Sequence, residues 1–227
     1  MIERTDSAAA RVSRVSPGWL PALGLFGAAA FLIGLWQDLY WLRLIVKPIP
    51  MACMIVWVSQ ASRERYARLV LAGLSFSLLG DVLLELDASL FLPGLLAFLL
   101  AQVFYIVTFM DVTRELKLLR ALPFVAWGAI AYGVLLPNLG AMTAPVGAYV
   151  VVICAMMWRA SACVGEGGRA RPDQWAALAG AVLFALSDTL LALNRFNAPI
   201  EGARFVIIVL YWLGQLGITL SVKRPIR

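Results

Sequence analysis

The chain alternates between long apolar stretches and short polar gaps. Eight stretches stand out, at about 19–36, 40–59, 66–86, 91–110, 121–137, 141–161, 174–193 and 203–222. Each is near the roughly 20 residues that an α-helix needs to cross a bilayer. Their apolar residues run on without alternating, which predicts helices and excludes a transmembrane β-barrel. Glycine and proline inside several stretches fit this reading, because membrane helices tolerate them better than soluble ones. The pattern predicts an all-α, polytopic integral membrane protein: a tail at 1–18, a single eight-helix transmembrane domain at 19–222, and a tail at 223–227. Eight spans use roughly 160 positions, which leaves no room for an extramembrane domain.

Composition narrows the class further. Hydrophobic residues are 62% of the chain and charged residues 14%, against about 45–50% and about 25% in soluble domains. A globule of this size leaves too much surface wet to hide so much apolar area. The basic residues then orient the spans. Arg4, Arg11 and Arg14 precede the first, and Arg63, Arg65 and Arg68 lie between the second and third. Arg114, Lys117 and Arg120 follow the fourth, Arg159, Arg169 and Arg171 flank the loop after the sixth, and Lys223, Arg224 and Arg227 close the chain. These are 15 of the 19 basic residues; Arg43, Arg195 and Arg204 fall on the other side, and Lys47 lies within a span. By the positive-inside rule both termini are cytoplasmic, which an even number of spans requires, and the expected location is a bacterial inner (cytoplasmic) membrane. The net charge of +6 thus follows from topology and contact with lipid headgroups, and implies no nucleic-acid partner. The first span resembles a signal peptide, with Ala28-Ala29-Ala30 as a mock cleavage site. Its apolar run is long for that purpose, and its removal would leave an odd number of spans, so it is read as uncleaved.

The chemistry is restricted by what is missing. There is no histidine, which removes histidine triads and histidine metal ligation. Cys53, Cys154 and Cys163 show no CxxC spacing and read as packing residues. Neither a metal nor an organic cofactor is expected. Acid–base work falls to carboxylates, lysine and tyrosine.

An internal duplication supplies the best candidates. Leu71–Leu86 (LAGLSFSLLGDVLLEL) and Leu178–Leu193 (LAGAVLFALSDTLLAL) share eight of sixteen positions at an offset of 107, including Gly73/Gly180 and Asp81/Asp188. The two segments run in the same direction, so the implied repeat is parallel, with halves at about 19–115 and 120–222. An aspartate at membrane depth is costly unless it is paired or protonated, and such residues usually face the bundle interior and work there. Asp81 and Asp188 each lie about 9 Å below the outer end of a span, and Lys47 about 10 Å below its own. Lys47 either snorkels to the interface or faces inward, to pair with an aspartate or meet an anionic substrate group. Glu85, four residues beyond Asp81, shares its face and either tunes that aspartate or sits at the interface. Gln102, Tyr105, Tyr211 and Gln215 either line the same cavity or serve packing. The eight tryptophans, mostly near span ends, read as interfacial anchors.

At these residues the chain resembles the YhhN-like family, the lysoplasmalogenases, over nearly its whole length. The resemblance rests on Lys47-Pro48-Ile49-Pro50-Met51, GLSFSLLGDVLLEL at 73–86, GLLAFLLAQVFYI at 94–106, LFALSDTLLAL at 183–193 and YWLGQLGI at 211–218. The Gly80-Asp81 and Ser187-Asp188 pairs are its most specific parts. Gln102 is a departure, because the family commonly has histidine there. The resemblance implies hydrolysis of the vinyl ether bond of a lysoplasmalogen, releasing a fatty aldehyde and glycerophospho-ethanolamine or -choline. Enol ethers hydrolyse by protonation at the β-carbon, so the route needs one protonated acid and a second carboxylate. Asp81 and Asp188 are expected to divide these roles. Lys47, Glu85, Gln102, Tyr105, Ser187, Tyr211 and Gln215 are expected to contact substrate. The expected partners are a lysophospholipid and the bilayer, with no obligate protein partner. The same buried acids also suit a proton-coupled carrier or a flippase.

Overall fold

Pro48 and Pro50 lack the N–H that a helix interior requires, and the chain breaks there. In the computed structural model, which describes residues 18–222, the second span is two helices meeting at Lys47. They are α2 (Tyr40–Val46) and α3 (Pro48–Ala61), and Pro48 takes the first position of α3, where a missing donor does no harm. The other helices are α1 (Trp19–Trp36), α4 (Arg65–Leu86), α5 (Phe91–Met110), α6 (Leu122–Leu135), α7 (Thr143–Cys163), α8 (Arg171–Phe196) and α9 (Ala203–Leu220). Short 3₁₀ turns extend α5 and α6, and no strand occurs among the described residues. Counting α2–α3 as one, eight segments are long and apolar enough to cross a bilayer. The protein is an all-helical integral membrane protein. The terminal arginines and lysine of the charge argument (Arg4, Arg11, Arg14, Lys223, Arg224 and Arg227) lie outside the described residues, as does nearly all of both tails.

Glycines set how closely the helices meet. A Cβ on Gly180 of α8 would lie 2.6 Å from the Gly214 carbonyl oxygen and the Ile218 nitrogen of α9. On Gly214 it would lie 2.7 Å from the Phe184 nitrogen, and on Gly217 2.8 Å from the Ala176 carbonyl oxygen. The two helices therefore touch backbone to backbone, a contact held in lipid by dispersion and close fit. Gly73 of α4 leaves the space that the Tyr105 ring of α5 fills. Elsewhere α3 packs beside α1, α4 and α9, while α7 packs beside α5, α6 and α8. Peripheral α6 buries only Gly128 and Leu135. Large side chains such as Phe26, Ile45, Ile130 and Val151 are exposed, as a bilayer-facing surface should be.

Three expectations change. The seventh span runs from Arg171 to Phe196, so Asp188 sits about 12 Å from its outer end rather than about 9 Å. Polar Asn194 and Arg195 do not stop the helix, because they find partners at its rim: Asn194 accepts from the Ile200 N–H at 2.7 Å and Arg195 stacks on the Phe91 ring at 3.9 Å. Arg43 and Arg159 are not loop residues but are buried within α2 and α7. Arg159 donates its two terminal nitrogens to the Glu115 and Thr113 carbonyls, while its Nε has no partner among the described residues. Trp212 is no interfacial anchor, since it is buried against Phe31 in an edge contact of 5.6 Å between centroids.

Candidate functional site

Ser77, Asp81 and Glu85 recur at four-residue spacing, which puts them on one face of α4. Antiparallel to it, α9 presents Gln215, Tyr211 and Arg204, at spacings of four and seven that also share one face. The two faces meet in three rungs. In the innermost, Gln215 donates to Ser77 Oγ at 2.9 Å and accepts from the Tyr105 hydroxyl at 2.7 Å. In the middle, the Tyr211 hydroxyl donates to Asp81 Oδ2 at 2.6 Å. In the outermost, Arg204 Nη2 donates to Glu85 Oε1 at 3.3 Å. Ser77, Tyr105 and Gln215 are fully enclosed, and Asp81 is only 3% exposed. Polar pairs at this depth are satisfied within the bundle because lipid offers them nothing.

The outermost rung carries more charge than expected. Glu85 receives Arg43 Nε at 3.0 Å and Lys47 Nζ at 3.1 Å as well as Arg204. Arg43 also reaches Asp38 Oδ1 at 2.7 Å. Lys47 does face inward, as one of the two sequence readings had it, but its partner is Glu85 and not an aspartate. Lys47 lies four residues after Arg43, in helical backbone between α2 and α3, so both cations point to that end of α4.

Asp188 stands on a second branch. It accepts from the Tyr149 hydroxyl of α7 and, at 3.4 Å, from Gln102 Nε2 of α5. Both donors use Oδ2, and Oδ1 has no hydrogen-bond partner among the described residues. Gln102 is fully buried, yet its Oε1 has no partner either. Asp188 opens onto a narrow apolar cleft of about 60 Å³ between α5, α6, α7 and α8, lined by Leu84, Phe98, Ala131, Leu135, Tyr149 and Ala192 among others. Between the two acids stands a block of mutually edge-on rings, Phe98, Phe184 and Tyr211, with centroids 5.7–6.0 Å apart.

The structure thus gathers Lys47, Glu85, Asp81, Tyr211, Tyr105 and Gln215 along one ladder, with Gln102 and Asp188 beside it. Ser187 is turned away, its hydroxyl engaged by the Ile207 carbonyl at 2.9 Å. Sequence reasoning passed over Ser77, Arg43, Arg204 and Tyr149. Ser77 was detectable four residues before Asp81, Arg43 four before Lys47, and Arg204 seven before Tyr211. Tyr149 carried no local signal, because it reaches Asp188 from a different part of the chain.

A site of this kind can hold one solvent-poor carboxyl against an apolar chain and a second carboxyl behind it. Comparison with known proteins agrees in kind. The model of the YhhN family matches residues 42–222. The human protein Lysoplasmalogenase TMEM86B is 34% identical over 211 residues, covering 91% of this chain and 87% of the relative. Lysoplasmalogenase TMEM86A of Bos taurus is 34% identical over 189 residues, covering 80% and 78%. A Lysoplasmalogenase of Mycobacterium tuberculosis is 30% identical over 220 residues, covering 86% and 78%. No solved structure matches the chain.

Proposed function

This chain belongs to the YhhN family, and from that we propose that it is a lysoplasmalogenase, a membrane hydrolase cleaving the vinyl ether bond of lysoplasmenyl-ethanolamine or -choline. The products are a fatty aldehyde and the glycerophospho-ethanolamine or -choline. The observation that carries the reading is a carboxyl, Asp188, at an apolar cleft, with a second buried carboxyl, Asp81, held by Tyr211 of the ring block beside it.

The chemistry follows from what each side chain touches. The cleft receives the hydrocarbon chain, which brings the vinyl ether to Asp188. Protonated Asp188 delivers its proton from Oδ1 to the β-carbon, the oxygen that no protein group occupies. Tyr149 and Gln102 hold Oδ2 and so fix the direction in which Oδ1 points. The resulting oxocarbenium ion is stabilised by the Asp81 carboxylate, whose orientation Tyr211 sets. Water adds to the cation, a proton returns to Asp188, and the hemiacetal collapses to aldehyde and alcohol. General acid catalysis of this kind contributes about 10²–10⁴-fold.

The assignment extends to topology: both termini cytoplasmic in a bacterial inner membrane, and a parallel repeat of spans one to four on spans five to eight. The helix neighbours support the repeat. Span two packs on span eight (α3 on α9) and span six on span four (α7 on α5), two contacts that a twofold axis along the membrane normal exchanges. Gly73 faces the next span and so does Gly180.

The test is aldehyde release from a plasmenyl lysolipid by purified protein in detergent micelles. Asp188→Asn and Asp81→Asn proteins that remain folded should each lose about 10²-fold or more. Wild-type turnover in both would sink the mechanism. Lipid flux in liposomes without aldehyde would mark a transporter instead.

A further inference from the structure

The geometry points to Arg43, Lys47 and Arg204 as a docking site for the phosphodiester of a lipid headgroup, one helical turn beyond the carboxyl pair. This deepens the hydrolase reading and rests on it for the placement of the substrate chain.

Three cations converge on a single carboxylate: Arg43 at 3.0 Å, Lys47 at 3.1 Å and Arg204 at 3.3 Å from Glu85. Asp38 is 92% exposed and Arg204 52% exposed, so water screens both, while Asp81, one turn deeper, is bonded to Tyr211 and not to the cluster. The side chains of Arg43, Lys47 and Glu85 are each at most 10% exposed. Among the hydrogen-bonded groups, two buried cations, Arg43 and Lys47, thus share one buried carboxylate, Glu85, and unpaired buried charge is costly. A bound anion would remove the imbalance. Donors are in excess too, since an ammonium offers three N–H groups and a guanidinium five. Lys47 and Arg204 each spend a single hydrogen bond here, both on Glu85.

Position fixes which anion fits. Glu85 lies four residues beyond Asp81, about 6 Å along α4. Its neighbour Leu84 lines the cleft that reaches Asp188. A lysolipid with its vinyl ether at the carboxyls carries its phosphate across a three-carbon glycerol bridge, which reaches this level and no deeper. The Arg204 side chain is 52% exposed, so the cluster opens toward the headgroup layer. Two guanidiniums suit a phosphate's paired oxygens. Glu85 then acts as an internal stand-in, holding the cations in place until the lipid phosphate shares them.

The experiment is equilibrium binding to the purified full chain of two uncleavable probes, a saturated 1-alkyl-glycerophosphoethanolamine and a 1-alkylglycerol of the same chain length. The wild type should hold the phosphate-bearing probe about tenfold more tightly or better. Arg204→Gln, a change at a half-exposed residue, should remove most of that preference and leave 1-alkylglycerol binding unaltered. Glu85→Gln should tighten the phosphate-bearing probe, an effect of opposite sign that lost packing does not produce. Equal binding of both probes by the wild type, or equal weakening of both in Arg204→Gln, overturns the proposal. So does inorganic phosphate that displaces the lipid probe at matched ionic strength, since the site would then hold a free anion. Aldehyde release from a plasmenyl substrate, measured in parallel, reports separately on the hydrolase reading. An inactive protein that still discriminates the two probes would fail that reading and leave the phosphate site standing.

Discussion

Tyr211 of α9 donates its hydroxyl to Asp81 of α4 at 2.6 Å, in the middle rung of a ladder that joins two antiparallel helices. Asp81 therefore depends on a helix outside its own pair for its orientation. The partner's removal has a predictable signature. In Tyr211→Phe a buried carboxyl loses its donor, which costs about 1–3 kcal/mol. The same change in an Asp81→Asn background should cost less, and the difference is the coupling between the two groups. Thermal unfolding of the four proteins in detergent measures it. Additive effects would show that the rung contributes nothing.

Gln102 offers a separation of stability from activity. Its Oε1 is already buried without a partner, so Gln102→Leu removes an unsatisfied group and should leave the melting temperature unchanged or higher. Asp188 loses the donor beside Tyr149, and aldehyde release should fall by about tenfold. Full activity in a stable Gln102→Leu protein would reduce the residue to packing.

Under the proposed mechanism the cleft should read chain length. Ala192 lines it beside Asp188, and Ala192→Trp should fill the roughly 60 Å³ space. Turnover of long-chain plasmenyl lysolipid should drop about ten- to a hundredfold, with shorter chains affected less. Equal losses at every chain length would place the hydrocarbon elsewhere.

The α8–α9 contact admits no added atoms. Gly180→Ala puts a methyl group 2.6 Å from backbone and should destabilise by about 1–3 kcal/mol. Gly133, with nothing within 4 Å of its would-be Cβ, is the control. Gly133→Ala should be neutral or stabilising by up to about 1 kcal/mol. Melting temperatures that move together would refute the packing argument.

Topology can be read by thiol labelling. Cys53, Cys154 and Cys163 are buried and give little background. Cysteines at exposed Gly167 and Glu201 should react from opposite faces of the membrane, the former only from the cytoplasm. Labelling of both from one side would overturn the assigned orientation.

The spans were legible because apolar continuity is a direct demand of the bilayer, and the ladder was half legible because four-residue spacing marks a helix face. Asp81 and Glu85 showed themselves in this way, and so did Tyr211 and Gln215. What failed to show was everything that depends on which helix lies opposite. An inward-facing Lys47 was one of two readings, but its partner, Glu85, depended on which helix lies opposite. Arg43 was counted only toward the outer side of the charge balance, because nothing in the sequence says that a charge near a span end folds inward. Tyr149 looked like any other tyrosine in a span until α7 was set beside α8.

The glycine contact between α8 and α9 also divides the molecule mechanically. At Gly180, Gly214 and Gly217 no side chain separates the two backbones, and Phe184 on Tyr211 and Ser187 on the Ile207 carbonyl tie the helices further along. Asp188 therefore keeps its place relative to Tyr211, Gln215 and Arg204 of α9, while Tyr149 and Gln102 set its aim. The opposite wall of the cleft is α6, which supplies Ala131 and Leu135 and buries little of itself in the bundle. A lipid sliding in from the side meets a fixed frame and a yielding door.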